Sequence, residues 1–280
     1  MCIRDRGLLF FALIAVVFIG CSEEEQPEPP SITTPAITQI PYDDSIKVVW
    51  QNSPEVVEEG FKGYYFYISK NSNLSGMTDT ELQDYLVFDS ITTDTQYIMR
   101  DYQGEGLEDG AIYYFGIQAV RSVESGDTVS GLRVVQTSPV LMGEDRIYYL
   151  LSDTICAFNF SQGVAITIDQ TEPEPDFYVD TSSISETGLL LKSPHLAGTA
   201  WTGESGFKSL GIGVLDDFSE TTDDNWVEEI DVSSIRIFAI KNSQNHYVKI
   251  KINNWGSDDQ DRYYINFEYK YQTKTNYPYF

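Results

Sequence analysis

The chain has 280 residues, of which 41% are hydrophobic and 14% aromatic, and its formal net charge is −25. This composition is that of a globular protein of about two domains, and its aromatic content favours strands. The strong acidity argues against nucleic acid as a partner, because neutralising phosphates requires clustered Lys and Arg. It argues equally against a polybasic contact with anionic lipid.

The first predicted element is a signal peptide over residues 1–20. An apolar run, residues 7–20, is too short to span a bilayer comfortably but suits the apolar region of a secretory signal. Its end, Phe18-Ile19-Gly20-Cys21, resembles a bacterial lipobox. The resemblance implies that Cys21 becomes the lipidated first residue of the mature chain. A signal anchor with an incidental cysteine is the alternative.

Residues 21–34 are predicted to form a tether. Ser22-Glu23-Glu24-Glu25 resembles the acidic signal that sends lipoproteins of Bacteroidota to the outer surface. The proline-rich stretch that follows is typical of a semi-extended spacer. The expected location is therefore the cell surface, with the lipid anchor in the outer membrane.

Residues 35–140 alternate with the period of a strand. The clearest runs are SIKVVW (45–50), GYYFYIS (63–69), AIYYFGIQAV (111–120) and LRVVQTS (132–138). One helix is predicted over residues 78–88, capped by Thr78 or Asp79 and with Glu81 in its first turn.

This stretch resembles a fibronectin type III module. Trp50 ends the second-strand pattern, residues 63–67 match the third strand, and the run from Leu107 to Ala119 matches the loop and sixth strand. The resemblance implies that Tyr113 is a corner tyrosine whose hydroxyl ties the preceding loop to the strand. Such modules space and present other domains and have no chemistry of their own.

Residues 145–280 again read as short strands. The turn NSQN (242–245) separates two alternating runs and predicts a hairpin over residues 235–252. The last run, residues 263–271, predicts a half-buried strand with alternate aromatic and aliphatic residues on its inner face. Glu268 and Lys270 are expected on the other face. Cys156 is expected to be a small core residue.

The stretch over about residues 145–274 resembles the HmuY family of haem-binding surface lipoproteins. The resemblance is carried by FNFSQG (158–163), PDFYVD (175–180) and the pattern over residues 237–272. It implies an all-β fold whose loops clasp a ligand. The expected fold class is therefore all-β, a fibronectin type III-like sandwich followed by an HmuY-like domain.

Haem as a cofactor would need axial ligands, for which His, Met, Cys and Tyr can serve. His195, in a loop in the middle of the second half, is the candidate for the haem iron. His246 lies in the hairpin pattern and is expected to be structural or exposed. Tyr178, from the PDFYVD segment, is a further candidate for ligand contact.

Two tryptophans complete the candidate ligand-binding residues. Trp201 and Trp226 fall near loops, as does Trp255. An exposed tryptophan would form a platform for a sugar, whereas a buried one would anchor the core. The exposure of these side chains discriminates between the two interpretations.

No enzyme is expected from the motifs. GESG (203–206) is followed by Phe207 where a nucleophile elbow requires Gly, and two His give no visible triad. The acidic loops 215–226 and 255–261 lack the spacing of a calcium-binding EF-hand and are expected to be solvated turns.

The leading hypothesis is capture of haem at the cell surface for uptake, with an outer-membrane transporter as the partner that uptake would require. The alternative is an adhesin that binds sugar or protein without catalysis.

Overall fold

A computed structural model describes residues 31–124, 126–150, 154–181, 188–232 and 236–280. The predicted signal peptide and Cys21 lie outside the described residues. Within the described part of the chain, no helix is long and apolar enough to cross a membrane. The fold is all-β, as the sequence predicts. We call residues 31–138 the first half and residues 139–280 the second half.

The first half is built from antiparallel strands. The strands described in this half are β1 Ile37–Pro41, β2 Ile46–Trp50, β3 Phe61–Lys70, β4 Gln96–Met99, β5 Asp101–Tyr102, β6 Glu105–Gly106, β7 Tyr113–Val123, β8 Gly126–Val129 and β9 Arg133–Thr137. One sheet has the order β1-β2-β4, and a second has the order β3-β7-β8, with β9 also paired to β7. The short strands β5 and β6 pair with each other in a two-stranded sheet.

The core of the first half is aromatic because the strand period places large side chains on one face of each sheet. Trp50 stacks on Phe66 with ring centroids 4.9 Å apart, and Phe66 stacks in turn on Phe115 at 6.3 Å. The predicted corner contact is present, since the Tyr113 hydroxyl accepts a hydrogen bond of 3.0 Å from the backbone N–H of Glu108. Membership of the fibronectin type III family stays a prediction.

The predicted helix is shorter than expected. Helix α1, Asp79–Leu82, begins with a reciprocal cap between Thr78 and Glu81, and a 3₁₀ turn, Gln83–Tyr85, follows it. Leu86 is extended and forms a bridge with Tyr67 of β3. Pairing with the sheet therefore ends the helix before residue 88.

The second half consists of two larger antiparallel sheets. The strands described in this half are β10 Val140–Tyr148, β11 Ile155–Asn159, β12 Val164–Thr167, β13 Phe177–Thr181, β14 Leu189–Lys192, β15 Gly206–Gly211, β16 Glu229–Asp231, β17 Ile237–Lys241, β18 Tyr247–Ser257 and β19 Tyr263–Gln272. The orders of the two sheets are β10-β19-β18-β17-β15 and β12-β11-β13-β14-β16.

A second aromatic core joins these two sheets. Phe158 contacts Phe267 with ring centroids 5.2 Å apart, and Phe160 stacks on Phe177 at 5.4 Å. The inner face of β19 enters this core, as the alternation predicts. The other face of β19 is not solvated along its whole length, because the side chain of Lys270 is buried.

The junction between the halves lies at Thr137 to Val140. The predicted start of the second domain at residue 145 falls inside β10, whose first residues pair with the end of β19 from Val140 opposite Gln272. Residues 31–280 form one compact unit, and the Lys270 Nζ donates to the Pro41 carbonyl across the junction at 2.9 Å. Independent folding of each half stays a prediction.

Candidate functional site

An open groove of about 600 Å³ lies on the surface of the second half. We call it the Trp226 groove. Three segments that are distant in sequence form its walls: the loop 202–206, the residues 226–228, and the hairpin turn 241–245. Its lining residues are Thr202, Glu204, Ser205, Gly206, Trp226, Val227, Glu228, Lys241, Asn242, Ser243 and Asn245.

Trp226 is the half-buried aromatic residue of the groove. Its indole N–H donates to Asp223 Oδ1 at 3.1 Å, and its ring lies 6.1 Å from that of Tyr247. Gly206 permits this position, because a Cβ at that residue would lie 2.8 Å from the Cβ of Trp226. The position of the indole is therefore fixed by the hydrogen bond at its N–H edge and by close packing against the backbone of Gly206.

The hairpin wall is held by the side chain of Asn242. Its Oδ1 accepts from the backbone N–H groups of Gln244 at 3.1 Å and His246 at 2.8 Å. Its Nδ2 donates to Asp176 Oδ1 at 2.8 Å, at a buried position. Asn245 has a φ of 61°, a left-handed conformation that asparagine tolerates well.

The loop wall is held by Glu174 and Ser193. Glu174 Oε1 accepts from the backbone N–H groups of Thr202 and Gly203, each at 2.5 Å. The Ser193 hydroxyl accepts from the backbone N–H of Ser205 at 2.8 Å. These bonds satisfy three backbone N–H groups of the irregular loop. Leaving such a group without a partner costs folding free energy.

The groove carries charges of both signs. Glu204 and Glu228 line it beside Lys241, whose Nζ lies 2.8 Å from Asp223 Oδ1. The hydrogen bond from Lys241 holds the pKa of Asp223 below its usual value. Beneath the hairpin wall, burial raises the pKa of Asp176 to about 6 although its hydrogen bonds oppose the shift.

His195 lies at the edge of the groove and is not part of its lining. It belongs to a short 3₁₀ helix, Pro194–Ala197, and its side chain is 28% exposed. The Nδ1 atom is 2.9 Å from the Ser193 hydroxyl, and Nε2 is 3.8 Å from Glu228 Oε1. Ser193 itself is fully buried, so its hydroxyl is not accessible as a nucleophile.

Tyr178 and Trp201 lie in the interior, with ring centroids 6.1 Å apart in a cluster that includes Cys156. The Trp201 indole N–H donates to the Gln170 carbonyl at 2.6 Å. Burial argues against the ligand contacts expected of Tyr178 and Trp201, because neither presents a face to solvent. Both have the position of core anchors.

The remaining candidates have structural contacts. The Nδ1 atom of His246 is 2.9 Å from the Gln272 carbonyl oxygen, and its ring packs against that of Tyr271. Acidic side chains of the 215–226 loop pair with lysines, Asp216 with Lys270 and Asp224 with Lys208. Among the residues that the structure describes, no three His, Cys, Asp or Glu side chains cluster as metal ligands.

Of the four candidate ligand-binding residues, all of which the structure describes, only Trp226 lies in the groove, and His195 lies at its edge. Sequence reasoning missed the groove residues Glu204, Glu228 and Asn245. The NSQN turn was predicted, but nothing in its sequence indicated which other segments would lie beside it.

The sequence matches no model of a known protein family, and it matches no curated protein. The class of protein is therefore defined by its fold and groove: an all-β protein with a polar groove whose lining includes the half-buried Trp226.

Proposed function

We propose that the protein is a surface lipoprotein whose second half binds a glycan in the Trp226 groove without catalysis. The observation that carries this proposal is a fixed, half-buried indole surrounded by hydrogen-bonding side chains. Sugars present apolar C–H faces and many hydroxyl groups, and this combination matches both features of the groove.

The polar lining supplies the specificity. Glu204 and Glu228 can accept hydrogen bonds from hydroxyl groups, and Lys241 can donate them. Water-mediated contacts add to such a site at little energetic cost. Because the groove is open, it suits a segment of a longer chain better than an enclosed small molecule.

The location follows from the first residues of the mature chain. Cys21 is proposed to carry the acyl chains that anchor the protein in the outer membrane, since several chains hold a protein stably where one does not. The first half, with its resemblance to fibronectin type III modules, then spaces the groove away from the membrane.

The proposal is tested by calorimetric titration with a panel of soluble oligosaccharides. Trp226→Ala should weaken binding about tenfold, which corresponds to about 1.4 kcal/mol. Tyr263→Ala is the matched control, because Tyr263 is an exposed aromatic residue of the same half outside the groove. Failure of every oligosaccharide to bind, or equal affinities of Trp226→Ala and wild type, would refute it.

Haem is the second candidate ligand. The contact between His195 Nδ1 and Ser193 orients the ring and leaves Nε2 as the potential iron ligand, an arrangement common at metal-binding histidines. The nearby Glu228 and Glu204 carboxylates disfavour the anionic propionates of haem. His195 would supply one axial ligand, and the acidic side chains beside it make this groove less suited to haem than to a glycan.

Titration with haemin, followed by absorbance, distinguishes this candidate. Binding through His195 predicts a shifted Soret band for wild type and a weaker complex for His195→Ala. Equal spectra and affinities for the two proteins would show that His195 is not an iron ligand. No binding by wild type at micromolar haemin would exclude haem as the ligand.

A further inference from the structure

One short segment contacts two of the three walls of the Trp226 groove, the loop wall and the hairpin wall, without lining the groove. Glu174, Pro175 and Asp176 lie immediately before β13. The Glu174 carboxylate holds the loop wall through Thr202 and Gly203, while the Asp176 carboxylate holds the hairpin wall through Asn242. The loop wall and the hairpin wall are distant in sequence, and they meet directly where Gly206 of β15 pairs with Lys241 of β17.

The Asp176 end of this segment is buried and fully engaged. Its Oδ1 accepts from Asn242 Nδ2 at 2.8 Å, and its Oδ2 accepts from the backbone N–H of Phe160 at 2.7 Å. Phe160 belongs to the aromatic core of the second half. The Asp176 carboxylate thus joins the hairpin turn to the core, in addition to β17 and β18, the paired core strands that flank the turn.

We propose that Glu174-Pro175-Asp176 is a positioning segment that fixes the separation of the two groove walls. Neither carboxylate contacts the ligand. Each sets the position of one wall, and ligand affinity depends on both. Only the effect on ligand affinity rests on the proposed function, because the rigidity of the walls can be measured without a ligand.

Exchanging the residues of the Asp176–Asn242 pair distinguishes a positioning role from a packing role, because it keeps the side-chain sizes and changes only donors and acceptors. In Asp176→Asn, the new amide group must face either the Phe160 N–H or the Asn242 amide, and two donors then meet at a buried position. In the double variant Asp176→Asn, Asn242→Asp, the donor and acceptor exchange places. The carboxylate introduced at position 242 can still accept from Gln244 and His246, so every bond is restored.

The experiment is amide hydrogen exchange combined with oligosaccharide titration. Asp176→Asn should increase exchange at Gln244 and His246 at least tenfold and leave Thr202 and Gly203 unchanged. Glu174→Ala should do the reverse, and Glu174→Gln, which keeps the accepting Oε1, should resemble wild type. Both wall-loosening variants should weaken ligand binding. The exchanged double variant should restore protection at Gln244 and His246, and this readout is independent of the ligand because position 242 itself lines the groove.

The outcomes are distinguishable. If wild type binds oligosaccharides and the two variants retain full affinity, or if exchange rises equally at both walls, the segment has no positioning role. If no oligosaccharide binds wild type, the proposed function fails, and the exchange pattern still decides whether the segment fixes the walls. If Asp176→Asn does not fold, loss of protection in the double variant would overturn the inference.

Discussion

Lys249 and Lys270 lie directly opposite each other on β18 and β19, and each residue is only 2% exposed. Two adjacent buried ammonium groups repel, so each needs its own acceptors. Lys249 Nζ donates to the carbonyls of Leu215 and Phe218 at 2.5 and 2.6 Å. The loop over this face of the sheet is therefore held by backbone oxygens bonded to a buried cation.

Lys270 also connects the two halves. Its Nζ donates to Asp216 Oδ1 at 2.6 Å and to the Pro41 carbonyl at 2.9 Å, and it lies 4.7 Å from the centre of the Tyr42 ring. We expect Lys270→Met to lower the free energy of unfolding by roughly 2–3 kcal/mol, because buried acceptors lose a charged donor.

Lys251→Met is the control, since Lys251 pairs with the partly exposed Glu268 on the same sheet and should contribute less than about 1 kcal/mol. Urea unfolding of the three proteins measures the difference. Equal losses for both variants would show that the buried contacts of Lys270 carry no special weight.

Lys249 predicts a pH dependence of stability. Burial, and secondarily the charge of Lys270, lowers its pKa from 10.5 to about 7, while the nearby Asp216 and Asp217 oppose the shift. Between pH 7 and 10.5 the unfolded chain therefore binds more protons at this residue than the folded chain. The contribution of Lys249 to the free energy of unfolding must therefore rise as the pH rises from 7 to 10.5.

Between pH 7 and pH 9, Lys249 is expected to add roughly 2 kcal/mol to the free energy of unfolding. Lys249→Met retains all other titrating groups and lacks this gain. The measurement is the difference in unfolding free energy between wild type and variant at the two pH values. A difference that does not change with pH would contradict the lowered pKa.

The position at which β10 starts predicts which fragment of the second half is the more stable. A fragment of residues 139–280 keeps all the pairing of β10 with β19 and the fully buried Val140. A fragment of residues 145–280 loses Val140 and the first part of that pairing. We expect the longer fragment to unfold cooperatively and at a higher urea concentration. Identical transitions would mean that residues 140–144 do not stabilise the second half.

Lipidation predicts the location of the protein. Cys21→Ser should abolish incorporation of labelled fatty acid and leave an unprocessed precursor, because the thiol is the proposed attachment point. Cys156→Ser serves as the control, since Cys156 is buried in the second half. Normal labelling of Cys21→Ser would end the lipoprotein interpretation.

The strands were predictable from sequence because their signal is local. Alternation placed Phe267 and Tyr269 in the core. The contact of Tyr113 with the preceding loop was predicted from the resemblance to fibronectin type III modules and not from a local pattern. The start of the helix after Thr78 was predicted correctly, whereas its end was not. The helix ends where the chain pairs with β3, and a local pattern does not show that pairing.

The groove and the buried lysines were not predictable, since both depend on contacts between distant segments. The alternation of β19 places Lys270 on the face away from the core, but it cannot reveal that the 215–218 loop and Tyr42 cover that face. Asp176 and Asn242 are likewise distant in sequence, and a lone acidic residue before a strand gives no indication of its partner.

The central claim is that the Trp226 groove is the ligand site, and NMR of the tryptophan indole N–H groups tests it most directly. On titration with the oligosaccharide that gives the strongest calorimetric signal, the Trp226 resonance should shift together with the amides of residues 241–245. The resonances of the buried Trp50 and Trp201 should stay in place. Shifts confined to Trp201 or to the first half, with Trp226 unchanged, would contradict the claim.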